Sequence, residues 1–309
     1  MAFYILRRLL QAIPVLLGAT FLIYFMVFAM PGNPALALFG ERTPNPAVLA
    51  QVEARYHLDQ PFIVQYLYYL GNVFRLDFGT SFSGQPIGET LLRTFPVTAR
   101  LAALAILFEM IIGLAVGLWS GLRKGGVFDS VTLVISLVLI SVPIFVLCFL
   151  GQFFLGYKLG WFRSTVSAGA PIQDLILPAL ILAFSLVAFN IRLTRSSVIE
   201  TAGNDFVRTA YSKGLRRSRV IPVHILRNSL IPVTTNLGAD FGILLVGATV
   251  TEGIFNVPGV GNTLYKAIVI GERPTVVSFV TVMVLLYLVV NILIDLLYAV
   301  LDPRIRYVK

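Results

Sequence analysis

The chain has 309 residues, of which 57% are hydrophobic and only 13% are charged. A soluble globular domain carries about a quarter charged residues. The composition therefore excludes a disordered chain, a coiled coil and an ordinary soluble enzyme, and it indicates a protein that lies mostly in lipid. The net charge of +9 does not indicate nucleic acid binding, because the basic residues concentrate in short segments between long apolar stretches.

Cysteine and histidine usage excludes two further classes of site. The single cysteine, Cys148, excludes an internal disulfide framework and a multi-thiolate metal site. The two histidines, His57 and His224, lie far apart in the sequence. A histidine-rich metal cluster is therefore not expected.

Six apolar segments have the length of a membrane-crossing helix, about 20 residues. They are Leu9–Met30, Leu101–Leu122, Val131–Tyr157, Leu175–Ile191, Ile231–Thr251 and Val276–Leu301. Continuous apolar runs of this length favour helices over the alternating strands of a membrane barrel. The sequence therefore predicts an all-α membrane protein with six transmembrane helices, the first of which is retained and not cleaved as a signal peptide.

The distribution of basic residues predicts the orientation of the chain. With the N-terminus in the cytoplasm, most Lys and Arg residues fall on the cytoplasmic side, as in other membrane proteins. Six spans then place the C-terminus inside as well. We expect a cytoplasmic N-terminus and first span at 1–30, an extracytoplasmic segment at 31–100, and a five-helix core at 101–309 with a cytoplasmic loop at 192–230.

The cytoplasmic loop contains a predicted short amphipathic helix over 205–213. Asn204 and Asp205 favour a helix start, and Gly214 suits the left-handed position after a helix end. One apolar face between them is formed by Phe206, Val207, Ala210 and Tyr211. So short a helix is not stable alone in water, and its apolar face needs either an anionic lipid surface or a groove on a partner protein. Ser218 is expected to cap a second helix.

Several motifs of the chain resemble a known family. Arg208-Thr-Ala-x-x-Lys-Gly-Leu215, followed by His224-x-Leu-Arg-Asn-x-Leu-Ile-Pro232, resembles the coupling loop of bacterial ATP-binding-cassette importer permeases. The general motif of these permeases begins Glu-Ala-Ala, and the Arg-Thr-Ala variant resembles the dipeptide, oligopeptide and nickel branch. Further matching stretches are Leu76-Asp-Phe-Gly-x-Ser81, Glu252-Gly-Ile-Phe-x-x-Pro-Gly-Val-Gly261, Asn291-x-x-x-Asp295-x-x-Tyr298 and Leu301-Asp-Pro-Arg304.

The resemblance implies the fold of a type I importer permease, the first of two permeases in a bacterial cytoplasmic (inner) membrane complex. The implied partners are a second homologous permease, two ATPase subunits, an extracytoplasmic binding protein and membrane lipid, with no nucleic acid. The sequence has no Gly-Lys dipeptide and hence no Walker A phosphate loop. ATP and magnesium are therefore expected in the ATPase subunits, with no cofactor and no catalytic residue in this chain. Peptides are the expected substrate, and nickel, glutathione, oligosaccharides and haem are the alternatives within the branch.

Candidate site residues follow from the resemblance and from the charges inside spans. The expected ATPase contact comprises Asp205, Phe206, Arg208, Thr209, Ala210, Lys213, Gly214 and Leu215, supported by His224 and Arg227. Glu109 and Asp240 are candidate pore or gate residues, because a charge within a span is costly; pairing with a neighbouring helix is the alternative. Glu252 is a candidate for the outer gate, whereas Asp295 is expected to be structural. A proton-coupled secondary transporter is the competing class, and it explains the buried acids but not the motifs.

Overall fold

The computed structural model describes residues 2–28, 46, 60–81 and 83–301. Within these residues the regular structure is helical, apart from one isolated bridge between Thr80 and Pro86. The helices are α1 (Ala2–Phe28), α2 (Phe62–Phe74), α3 (Ile87–Leu122), α4 (Val127–Ser141), α5 (Ile144–Gly151), α6 (Ile172–Ala202), α7 (Asp205–Ser212), α8 (Arg217–Val220), α9 (Arg227–Gly247), α10 (Thr249–Phe255), α11 (Val260–Val269) and α12 (Arg273–Leu301). Two π-helical segments continue α5 and α8: Gln152–Lys158 and Ile221–Leu226.

Four of these helices are long and apolar enough to cross a membrane. They are α1, α3, α6 and α12, and the number rises to six if each of two bent pairs forms one span. The bent pairs are α4 with α5, and the continuous α8–α9 with α10. The chain is thus an all-helical membrane protein with four to six candidate spans.

The third predicted span, Val131–Tyr157, is not a straight helix. α4 ends at Ser141, and the chain turns by 104° before α5. Val142 is extended, with φ −89° and ψ 122°, because the ring of Pro143 disfavours helical geometry in the residue before it. The fifth predicted span, Ile231–Thr251, is also interrupted, by a bend of 55° between α9 and α10.

Two other spans are longer than predicted. α3 begins at Ile87, within the segment assigned to the extracytoplasmic loop, and α6 continues past Ile191 to Ala202. Arg192 and Arg195 therefore lie on a helix and not in a loop. Arginine is a good helix former, so a charge that ends an apolar run does not end the helix. His57 lies outside the described residues, and so does the side chain of Asp295.

The contacts divide the chain into two compact units, one formed by Met1–Thr98 with Pro258–Lys309 and the other by Ala99–Val257. In the first unit α1 packs along α12 and also contacts α2. Tyr66 on α2 is buried and hydrogen-bonds Thr20 on α1 at 3.1 Å. The neighbouring Tyr69 donates to Thr281 Oγ1 on α12 at 2.6 Å. The aromatic residues of α2 therefore join the two long helices.

The second unit is organised around α6, which contacts α4, α5, α9 and α10. α3 approaches α6 closely along a row of glycines, Gly113, Gly117 and Gly121, which lie opposite Asn190, Thr194 and Val198. A Cβ atom at position 117 would lie 2.6 Å from Thr194 Cβ and 2.7 Å from the Ile191 carbonyl oxygen. Both rows have a spacing of four residues, so one glycine face packs on one face of α6.

Candidate functional site

The predicted amphipathic helix forms α7, which spans Asp205–Ser212. Asn204 occupies the N-cap position with extended backbone, although its side chain makes no capping hydrogen bond. Gly214 has φ +75°, and the Leu215 N–H returns to the Ala210 carbonyl at 3.3 Å. The predicted helix start and the left-handed stop at Gly214 are both confirmed.

The apolar residues of α7 do not act as one surface. Val207 and Ala210 are buried, with 2% and 4% of their surface exposed, whereas Phe206 and Tyr211 are 43% and 45% exposed. The expectation that all four form one unpartnered face is therefore corrected. The reason is that positions 207 and 210 lie one turn apart and face the chain itself, while the two aromatic residues lie on the flanks.

The inner side of α7 packs on a hydrophobic cluster of the same unit. Its buried members are Val198, Val207, Ala210, Val220 and Ile225, surrounded by Leu118, Leu122, Leu215 and Ile221. These residues come from α3, α6, α7, the turn after α7, α8 and the π-helical segment after α8. Ala210 and Leu215, both predicted to contact an ATPase subunit, pack in this cluster and attach α7 to its own chain.

The remaining predicted contact residues are exposed on or beside α7. Asp205, Phe206, Arg208, Thr209, Lys213 and Gly214 are all in this group. Arg208 Nη1 lies 3.8 Å from Asp205 Oδ1, but both side chains are largely in solvent, so this pair adds little stability. An outer surface with one aromatic residue on each flank and mixed charge between them is thus presented away from the chain.

The second predicted helix starts earlier than expected. Arg216, not Ser218, occupies its N-cap position, and Pro222 lies near the start of the π-helical segment. His224 is half-buried in that segment, and its carbonyl accepts a 2.7 Å hydrogen bond from Asn228 Nδ2. Arg227 is exposed at the first position of α9. Neither residue lies on α7 itself, and their supporting role at the ATPase contact stays a prediction.

A salt bridge that the sequence analysis did not predict joins α4 to α6. Arg195 Nε and Nη2 donate to the two carboxylate oxygens of Asp129 at 2.5 and 2.7 Å. The same carboxylate accepts from Ser120 Oγ on α3 at 2.5 Å and from the Gly125 N–H at 2.8 Å. The Asp129 side chain is only 3% exposed, so a bidentate ion pair fixes three helices at the end of the unit nearest α7.

The candidate pore residues Glu109 and Asp240 lie together in a second buried cluster. The side-chain amide of Asn190 on α6 donates to Glu109 Oε1 on α3 and, at 2.7 Å, to Asp240 Oδ2 on α9. Asn236 Nδ2 donates to the same Asp240 oxygen at 2.5 Å. Both acids are buried, with 0% and 5% exposure. The structure therefore shows these two acids paired across neighbouring helices, whereas their role in a pore or gate stays a prediction.

Glu252, the third candidate gate residue, is fully buried on α10. Its backbone N–H donates to the Ala248 carbonyl at 2.8 Å, and its carbonyl accepts from the Val257 N–H at 2.8 Å. Asn256, which follows α10, adopts a left-handed conformation with φ 51°. Among the side chains that the structure describes, no group of three or more His, Cys, Asp or Glu residues is placed to hold a metal ion.

Two family models match most of the chain. Residues 113–307 match the family described as binding-protein-dependent transport system inner membrane component. Residues 1–102 match the corresponding N-terminal membrane component of the same kind of transport system.

Curated relatives match over almost the full length of the chain. The dipeptide transport system permease protein DppB of Alkalihalophilus pseudofirmus is 35% identical over 98% of this chain and 99% of the relative. DppB of Escherichia coli is 34% identical over 99% of each chain. A putative peptide transport system permease protein of Brucella abortus is 35% identical over 98% of each chain. The crystal structure of an amino acid ABC transporter matches 68% of this chain and 92% of its own length, with a TM-score of 0.49 and 16% identity.

Proposed function

Since the chain belongs to the family of binding-protein-dependent transport system inner membrane components, we propose that it conducts peptides and is driven by ATPase subunits that dock on α7. As a member of this family it is a multi-pass, non-catalytic subunit in the inner membrane. The family description places it in a system that includes a binding protein. The peptide substrate and the docking role of α7 are the specific parts of the proposal.

The peptide substrate is supported by the names of the relatives. Two of them are dipeptide permeases and the third is a putative peptide permease. The Arg208-Thr-Ala210 variant of the coupling motif points to the same branch. Nickel, glutathione, oligosaccharides and haem are the substrates that a negative result with peptides would favour.

The single observation that carries the docking role is the division of α7 into a buried and an exposed side. Val207 and Ala210 hold the helix against its own chain, whereas Phe206 and Tyr211 remain open to a partner. An exposed pair of aromatic residues on a short, anchored helix fits a groove on another protein. We assign that groove to an ATPase subunit, which also supplies the ATP and magnesium sites.

The packing beneath α7 suggests how motion of an ATPase subunit reaches the membrane. Val198 at the end of α6 and Leu118 and Leu122 at the end of α3 belong to the cluster that holds α7. A displacement of α7 therefore moves two long apolar helices directly, as a rigid body. In this scheme the N- and C-termini are cytoplasmic, a second homologous permease completes the pore, and the binding protein delivers the peptide from outside.

The docking role is tested by replacing both exposed aromatic residues of α7. Phe206→Ala with Tyr211→Ala should abolish most peptide uptake and most co-purification of ATPase subunits, because the anchor residues of the interface are lost. The chain should still insert and fold, since neither side chain belongs to the buried cluster. Uptake of a labelled dipeptide and mass spectrometry of the purified complex measure the two effects.

A matched control is Trp161→Ala, which removes another exposed aromatic residue, 69% exposed and outside α7. It should leave ATPase binding at the level of the unmodified chain. Full ATPase binding by the double α7 variant would contradict the docking role. If the unmodified chain took up labelled nickel, glutathione or haem but no labelled dipeptide, this would contradict the peptide substrate while leaving the docking role intact.

A further inference from the structure

The cluster of Glu109 and Asp240 contains two carboxyl groups in an apolar interior. Both carboxylates accept a hydrogen bond from the same nitrogen, Asn190 Nδ2, so they lie close together on two long helices of the same unit. Asn190, itself 1% exposed, places its amide nitrogen between them. Two ionised carboxylates at this separation, removed from water, repel each other at high cost.

No basic side chain described in the structure hydrogen-bonds to either acid. On α6, the helix that carries Asn190, Arg192 is exposed and Arg195 is bound to Asp129. The excess negative charge therefore has to be removed by a proton or a small cation.

The orientation of the amide groups distinguishes these two possibilities. Asn190 Nδ2 donates to both acids, and Asn236 Nδ2 donates to Asp240. A cation in this position would face the positive ends of both amide dipoles, whereas it needs oxygen ligands. A proton is compatible with the donors as they stand.

The hydrogen bonds also indicate which acid holds the proton. Asp240 Oδ2 accepts two amide hydrogen bonds, an environment that stabilises a carboxylate. Glu109 Oε1 accepts one, and Glu109 Oε2 is buried with no hydrogen-bond partner. A buried polar atom without a partner is expensive, and a hydrogen on Oε2 that is donated to Asp240 provides one.

We propose that Glu109 and Asp240 form a proton-binding site in which Glu109 is the protonated acid and Asp240 the carboxylate that accepts its hydrogen bond. The pair then carries one negative charge, which is shared with the amides of Asn190 and Asn236. Because the four residues come from α3, α6 and α9, the bound proton joins three helices of the unit. None of the four residues lies on α7, the proposed ATPase contact.

The test is infrared spectroscopy of the full chain in lipid nanodiscs at neutral pH. The unmodified chain should show the carbonyl stretch of a protonated carboxylic acid, and Glu109→Gln should lose it. Asp240→Asn should retain the band at a shifted frequency, because the Glu109 acid then donates to an amide oxygen. Glu89→Gln is the control, since Glu89 is exposed in the first turn of α3, and it should leave the band unchanged.

Thermal unfolding distinguishes a proton from a bound cation. Glu109→Gln replaces the acid by a neutral group of the same shape, so its midpoint should stay close to that of the unmodified chain. A band that is unchanged in Glu109→Gln would overturn the proposal. It would also be overturned if sodium or potassium ions raised the midpoint of the unmodified chain but not that of the variant. Should Glu109→Gln fail to insert, the frequency shift in Asp240→Asn still decides the assignment.

Discussion

Two buried polar clusters of the Ala99–Val257 unit neutralise charge in different ways. Near α7, Asp129 is matched by the opposite charge of Arg195. Farther along α6, the amide of Asn190 holds together two like groups, Glu109 of α3 and Asp240 of α9. Removing one side chain therefore has different consequences in the two clusters. Loss of Arg195 leaves a buried carboxylate without its opposite charge. Glu109, in contrast, can be replaced by a neutral amide of the same shape.

The largest expected effect comes from breaking the ion pair. Arg195→Met keeps a long apolar stem but leaves the Asp129 carboxylate buried without its guanidinium, which should cost about 3–5 kcal/mol of unfolding free energy. The midpoint of thermal unfolding in detergent measures the loss. Arg192→Met, at an exposed position on the same helix, should change the midpoint little. Equal midpoints for the two variants would show that the ion pair between Asp129 and Arg195 does not stabilise this unit.

The neutral variant of the other cluster sharpens the contrast. Glu109→Gln is expected to change stability far less than Arg195→Met, although both positions are buried or nearly so. The two unfolding midpoints measured side by side check this ranking. A loss at Glu109→Gln as large as that at Arg195→Met would mean that both clusters depend on full charges.

Local features of α7 were predictable from the sequence. The predicted range 205–213 differs by one residue from the observed Asp205–Ser212, because a polar helix start and a glycine stop act on adjacent residues. The division of its apolar residues was not predictable. Whether Val207 or Phe206 is buried depends on Val198 and Val220, which other helices bring to the site.

The two polar clusters and the helix bends were not predicted from the sequence, for two different reasons. Asp129 pairs with Arg195 and Glu109 with Asp240 across separations that no periodicity specifies. The 104° bend before α5, in contrast, has a local cause in Pro143. The prediction missed it because Val131–Tyr157 is uncharged throughout and was interpreted as one helix. Apolar composition predicts that a segment lies in the membrane, whereas the proline determines that its path is broken.

The glycine row between the two clusters provides the next prediction. Gly117→Ala places a methyl group against Thr194 and the Ile191 carbonyl, and this overpacking should cost about 2 kcal/mol. Gly71→Ala is the matched control on α2, because no atom lies within 4 Å of the added carbon; it should stabilise by about 0.5–1 kcal/mol. Unfolding midpoints that move in opposite directions would confirm that the glycine at position 117 is needed for the close approach of α3 and α6. They would also show that replacing a glycine is not destabilising in general.

The smallest expected effect on stability is at the end of α7, where the effect on transport should be larger. Gly214 has φ +75° and no neighbouring atom within 4 Å of an added Cβ, so Gly214→Val strains the backbone by about 1–2 kcal/mol without a clash. Gly203→Val is the control at the other end, where φ is −80° and the nearest atom lies at 3.5 Å. Peptide uptake should fall only in the first variant, while both reach the membrane in normal amounts. Equal uptake by the two would show that the turn after α7 does not set the position of its exposed side, and the docking surface would then depend on the buried anchors Val207 and Ala210 alone.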